Sequence, residues 1–138
     1  MIYLPDTNAL SQFMRGKDRG LLRRFEANLG DCLLSTVVLM ELEYGVARAP
    51  RPGKYRRNLD RLREALPYMA TFDDEAAFHT GQLRAYLAGF RPNAQPIGPY
   101  DVMLAGQAIS LGAIIVTHNR GEFTRAPGVR IEDWQDEP

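Results

Sequence analysis

The chain has 138 residues, enough for one domain with its own core, and hydrophobic residues make up 45% of it. Its 17 basic and 17 acidic residues cancel, which argues against both a generic basic nucleic-acid binder and an acidic disordered chain. One cysteine, Cys32, and two histidines, His79 and His118, exclude an intramolecular disulfide, a cysteine zinc cluster and a His-rich metal site.

No apolar run approaches a bilayer span, and the first residues lack the basic-then-apolar pattern of a signal peptide. The expectation is a soluble cytoplasmic protein with no membrane role and one domain over residues 1–138. Any chemistry must rest on carboxylates, hydroxyls or arginines.

Residues 2–4 form a short apolar run that reads as a buried strand ending at Pro5-Asp6. Residues 8–14 fit a short helix closed by Gly16. Leu21, Leu22, Phe25 and Leu29 fall at helical spacing, and Gly30 follows as a stop. Residues 32–34 make a second strand. Ser35-Thr36 then offers an N-cap to a helix carrying Val37, Val38, Met40, Leu42 and Val46. Arg51-Pro52-Gly53 reads as a loop before a helix with Leu59, Leu62 and Leu66. Residues 68–72 look like a third strand, and Asp73-Asp74 can cap a helix running towards Phe90. Residues 91–99, with Pro92, Pro96, Gly98 and Pro99, read as a loop. A helix follows over 100–111, ended by Gly112. Residues 113–116 are a very apolar fourth strand, and 129–131 a short fifth.

Strands alternate with helices throughout. That predicts an α/β domain with a central, mainly parallel sheet of four to five short strands flanked by helices. In such sheets ligand sites gather at the carboxyl ends of the strands.

Polar residues stand at those ends. Asp6 follows the first strand, and Thr117, His118 and Asn119 follow the fourth. Asp101 opens the helix that feeds the fourth strand. Glu41 lies one and a half turns into the helix after the second strand, in an apolar stretch. Glu43 is about 200° further round that helix, so the two cannot point into one site. Singly, each acid is an ordinary turn or helix-start residue. If Asp6, Glu41 and Asp101 converge, they repel one another, and a divalent cation removes the repulsion. An all-oxygen set suits Mg²⁺ or Mn²⁺, which can activate water against a phosphodiester.

Asp6-Thr7-Asn8, Glu41-Leu42 with Gly45, Pro99-x-Asp101 and Thr117-x-Asn119, in that order, resemble the PIN-domain ribonucleases. Among these the chain is most similar to the VapC toxins of bacterial type II toxin–antitoxin systems. The stretches 40–46, 96–101, 116–123 and 128–134 carry the likeness across nearly the whole chain. The resemblance implies an endoribonuclease that needs Mg²⁺ or Mn²⁺ and cleaves RNA to inhibit translation. Asp6 and Asp101 would be the principal metal ligands, with Glu41 completing the catalytic cluster. Thr7, Asn8 and Thr117 match the family's polar supports. Asn119 stands where the family often has a fourth acid, and Glu122, three residues on, could substitute. Pro5 also departs from the family's usual apolar residue and can join a ladder only where no N–H is needed. Segments 45–63 and 96–101 look closest to the enteric type, for which the implied substrate is initiator tRNA cut in its anticodon loop. A VapB-type antitoxin, a homodimer and a larger assembly on operator DNA complete the implied partners.

The charge balance hides an arrangement. Residues 48–63 hold seven basic side chains against the single acid Asp60. Arg48, Arg51, Arg56 and Arg57 are the candidate RNA contacts there, because guanidinium suits phosphate. The alternative is a solvated helix face. The acids Glu132, Asp133, Asp136 and Glu137 collect near the C-terminus. Cys32 reads as a small buried hydrophobe, His79 as surface or packing, and Trp134 as packing. Leu83, Tyr86 and Phe90 read as core or dimer interface.

Two other enzyme classes also place carboxylates at strand ends. A haloacid-dehalogenase-type phosphatase needs an aspartate where this chain has Asn8. A receiver domain needs a late lysine, and the lysines here are Lys17 and Lys54. A third reading makes the chain a weakly catalytic part of a DNA-bound autoregulatory complex, because Asn119 replaces an acid.

Overall fold

All five predicted strands form, yet none exceeds three residues. The computed structural model describes residues 1–89 and 97–135. In chain order it holds β1 (Tyr3–Pro5), α1 (Thr7–Arg15), α2 (Arg19–Asn28), β2 (Leu34–Ser35), α3 (Thr36–Arg48) and α4 (Pro52–Ala65). There follow β3 (Met69–Ala70), α5 (Asp74–Ala88), α6 (Pro99–Leu111), β4 (Ile114–Val116), α7 (Arg120–Phe123) and β5 (Arg130–Glu132).

Every ladder is parallel, and the strands form an order β1-β4-β5 and a separate pair β2-β3. A single bridge between Tyr3 and Cys32, with the Leu33 N–H donating to the Tyr3 carbonyl (2.9 Å), joins the two groups. The strands are short because helix caps cut into them. Ser35 ends β2 and its hydroxyl accepts from Val37 N–H at the start of α3. Asp6, one residue past β1, caps α1. Short strands buried on both sides need little polar alternation, and β1, β2 and β4 are buried throughout.

Pro5 sits at a non-donating place. Along β1 the even-numbered residues exchange bonds with β4: Ile114 N–H donates to Ile2 (2.8 Å) and Asp6 N–H to Val116 (3.0 Å). The odd-numbered residues face β2, where the contact is the single bridge at Tyr3.

Three expectations shift at their edges. Residues 51–53 are less a loop than a helix start, with Pro52 in the first turn of α4, where its missing N–H costs nothing. Asp73 alone caps α5, accepting from Ala76 N–H, while Asp74 is already helical. Thr36 does not cap α3; its hydroxyl accepts from Phe72 N–H at 3.1 Å and ties α3 to the end of β3. Helix α7 was not expected. Phe90, Pro92, Pro96, Asp136 and Glu137 lie outside the described residues.

The core runs through Leu4, Leu10, Leu21, Phe25, Leu34, Leu104, Ile115 and Phe123, all buried. Trp134 packs as expected, edge-on to Tyr3 and to Phe25, each at 5.0 Å. Cys32 is buried as expected. Leu83 is core, whereas Tyr86 on the same helix is 48% exposed. One polar side chain crosses the core. Gln107 accepts from the Ser35 hydroxyl (2.5 Å) and donates to the Ala70 carbonyl (2.8 Å), so α6 is tied to both β2 and β3. Among the described residues no helix is long and apolar enough to cross a membrane.

Candidate active site

Asp6 lies just beyond the carboxyl end of β1 and is 5% exposed. Its Oδ1 accepts from Ala9 N–H (2.8 Å), which makes it the N-cap of α1. Its Oδ2 accepts from the Thr117 hydroxyl (2.6 Å), one residue past β4. The parallel pairing of β1 with β4 thus brings together groups 111 positions apart. Burial raises the Asp6 pKa, and the two hydrogen bonds pull it back. Burial wins, helped by the charges of Glu41 and Asp133.

Glu41 is half-buried on α3. Thr7, in the first turn of α1, donates its hydroxyl to Glu41 Oε1 at 2.9 Å and fixes the carboxylate beside α1. Glu43 does point elsewhere, pairing with Arg56 of α4. Asp101 stands in the first turn of α6. Burial pushes its pKa up to about 7, with the charges of Glu122, Asp6 and Glu41 and a hydrogen bond with Glu122 acting in the same direction.

Glu122 is therefore the fourth acid of the cluster. Helix α7 delivers it, and its two oxygens accept from Gly98 N–H and from the Asn119 side-chain amide. A β-carbon at Gly98 would lie 3.4 Å from Glu122 Oε1 and 3.9 Å from Asp101 Oδ2, so glycine lets the backbone approach both acids. Asn119 does not replace the missing acid; it orients the one that does. Asn8 is exposed and stands apart from these hydrogen bonds.

The structure thus gathers Asp6, Glu41, Asp101 and Glu122 into one electrostatic neighbourhood. Among the described residues no three His, Cys, Asp or Glu side chains are drawn close enough to cage an ion as they stand. The donor set itself fits a hard cation: it is all oxygen, every carboxylate keeps a free lone pair, and no thiolate or paired imidazole is present.

A PIN-domain family model matches residues 3–129. A curated VapC of Salmonella typhimurium, described as a tRNA(fMet)-specific endonuclease, is 40% identical over 134 residues, covering 96% of this chain and 97% of its own length. The chain is a PIN-domain protein of the VapC family. The Shigella flexneri VapC, with the same description, is 39% identical over 132 residues, covering 96% of this chain and 97% of its own. Among solved structures, DNA-bound VapBC of Salmonella typhimurium superposes with a TM-score of 0.89 at 38% identity, over 97% of this chain and 98% of that one. DNA-bound VapBC2 of Rickettsia felis gives 0.88 at 28% identity, over 98% and 100%.

This VapC-family chain carries its basic residues away from the acids. Arg56 is held by Glu43 and Asp60. Arg48 lies over the Tyr44 ring, 5.5 Å from its centroid, and donates to its hydroxyl. Arg51 and Arg57 are exposed. Sequence reasoning missed two parts of the site. Gly98 looked only like a loop residue, and its N–H contact to Glu122 has no local signature. Asp133 read as part of an acidic tail, but its Oδ2 faces His118 Nδ1 at 2.9 Å beside the cluster.

Proposed function

We propose that this VapC-family chain is a Mg²⁺-dependent endoribonuclease, the toxin of a toxin–antitoxin pair, acting in the cytoplasm on initiator tRNA at its anticodon loop. The observation that carries the reading is the gathering of Asp6, Glu41, Asp101 and Glu122 at one strand edge, with Asp101 driven to about 7 by burial and then by its acidic neighbours. PIN-domain ribonucleases are generally divalent-metal dependent, and Mn²⁺ would serve as a substitute. The substrate follows from the Salmonella and Shigella relatives, both described as tRNA(fMet)-specific. The VapBC complexes support a VapB-type antitoxin as partner and an assembly on operator DNA. A homodimer belongs to the same reading.

In the mechanism Asp6 and Asp101 hold the cation, and Glu41 holds it or orients the attacking water. A divalent cation there stabilises charge on the phosphate oxygens and acidifies water. Thr117 and the Ala9 N–H keep Asp6 in place. Thr7 does the same for Glu41. Asn119 and the Gly98 N–H hold Glu122 towards Asp101. Such outer contacts set the orientation on which cation affinity depends. The alternative, a weakly catalytic DNA-bound component, rested on the missing acid at Asn119, and Glu122 supplies that acid.

The test uses protein freed of antitoxin, incubated with purified tRNAs and Mg²⁺. Wild type is expected to cut initiator tRNA and to stop when EDTA is added. Asp6→Asn and Asp101→Asn are each expected to lose at least about a hundredfold in rate, the scale of losing one transition-state charge contact. Intact RNA in every sample overturns the nuclease reading, and full activity in either variant overturns the site assignment.

A further inference from the structure

Asp133 lies just past β5, beyond the stretch matched by the family model, and the mechanism above gives it no task. It is nonetheless a built feature. Its side chain is only 13% exposed. The next residue, Trp134, is buried against Tyr3 and Phe25 and anchors the segment. Asp133 Oδ1 accepts from Gln135 N–H at 3.1 Å. Its Oδ2 faces His118 Nδ1 at 2.9 Å and Arg120 Nε at 3.6 Å.

A carboxylate oxygen here accepts, so His118 Nδ1 carries the hydrogen, and Nε2 is the ring nitrogen left over. Among the described residues Nε2 has no hydrogen-bond partner, and it is not a sealed atom, since the His118 side chain is 30% exposed. Arg120 is 68% exposed and meets Asp133 through Nε, which leaves its terminal amino groups outside that ion pair. The trio borders the acid cluster. His118 follows Thr117, the donor to Asp6, and the charge of Asp133 reaches Asp6.

We propose that His118 and Arg120, braced by Asp133, bind one ribonucleotide flanking the scissile phosphate: His118 Nε2 meets the ribose 2′-hydroxyl, and Arg120 meets the phosphate of that nucleotide. The proposal rests on the ribonuclease reading and deepens it. A 2′-hydroxyl both donates and accepts, so it satisfies Nε2 whichever role that nitrogen takes. The guanidinium suits a phosphate oxygen pair and offsets the repulsion that four acids exert on an RNA backbone. Asp133 is a positioning residue, acting through the other two.

The probe is the anticodon stem-loop of initiator tRNA, made also with single 2′-deoxy substitutions at each loop position. Equilibrium binding is measured in Mg²⁺ on the full chain carrying Asp101→Asn, so that binding is read without cleavage. One deoxy position is expected to weaken binding by about tenfold, the scale of one hydrogen bond in a desolvated site. Adding His118→Ala should weaken binding equally and erase sensitivity at that position only. Adding Arg120→Ala should weaken binding and lower the slope of log affinity against log salt by about 0.7, one phosphate contact. Adding Asp133→Asn should give a smaller loss at the same deoxy position. A uniform loss with an unchanged deoxy profile in His118→Ala, or an unchanged salt slope in Arg120→Ala, overturns the proposal. Arg120 is exposed, so its variant reads the idea even where His118→Ala fails to fold. Failure of the nuclease reading shows separately, as no cleavage by the wild-type chain.

Discussion

At the scale of single residues, the acids do structural and chemical work at once. Asp6 caps α1, and asparagine caps about as well as aspartate, so Asp6→Asn separates lost charge from lost helix. Asp101 has the larger consequence for pH. Its folded pKa of about 7 lies above the ordinary 3.8. The folded protein therefore keeps a proton there that the unfolded chain releases as pH rises past about 4. Without cation, this group's contribution to stability is at its best below pH 4, declines up to about 7, and is flat above. A cation at the cluster competes with that proton, so the rise in melting temperature on adding Mg²⁺ should grow steadily from pH 5 to pH 8. Thermal melts at fixed Mg²⁺ check this, and a rise independent of pH would remove Asp101 from the cation's ligands.

Among elements, α6 is the one that sets the site, because it begins at Asp101 and is packed hard against α5. A β-carbon at Gly106 would fall 2.0 Å from Thr80 Oγ1 and 2.6 Å from Thr80 N, atoms that cannot both retreat. Gly106→Ala should force the helices apart and cost about 1–3 kcal/mol or more, measured by urea denaturation, with reduced cleavage as Asp101 shifts. Gln107, one residue on, is the buried tie between α6, β2 and β3. Gln107→Ala strands the Ser35 hydroxyl and the Ala70 carbonyl, and should cost about 1–3 kcal/mol in the same assay. Neither constraint was legible in the sequence, since a mid-helix glycine and glutamine carry no local signal of what lies opposite. The elements were legible where an apolar run met a cap, as at Asp6, Ser35 and Asp73. Their edges were not, because two-residue strands such as β2 and β3 leave no alternation to read. The four-residue α7 was missed for the same reason. The acids Asp6, Glu41 and Asp101 stood out because each follows a strand or breaks an apolar stretch. The role of Asn119 and the pairing of Asp133 with His118 depend on β5 lying beside β4, which no local pattern announces.

For the molecule as a whole, the zero net charge is a separation. Helix α4 meets α3 at Glu43, about 200° round from Glu41, so the basic segment and the acid cluster lie on different sides of one helix. An RNA that touches both must be folded and tRNA-sized. Reversing Arg51 and Arg57 together to Glu should weaken binding of whole initiator tRNA at least about tenfold at low salt while sparing the isolated anticodon stem-loop. Filter binding with the two RNAs checks it, and equal losses on both would place the patch beside the site instead. Arg56 is excluded from this test because its charge is spent on Glu43 and Asp60.

The pairing of β1 with β4 also has a meaning for biosynthesis. Asp6 leaves the ribosome among the first residues, yet the hydroxyl that holds it belongs to Thr117, and the acid that joins Asp101 belongs to α7. Such long-range closure forms late in folding. A nascent chain therefore carries its first catalytic carboxylate for most of translation without a site to place it in. The translating machinery is spared until about five-sixths of the toxin exists, and a prematurely terminated product, lacking β4, is harmless by construction.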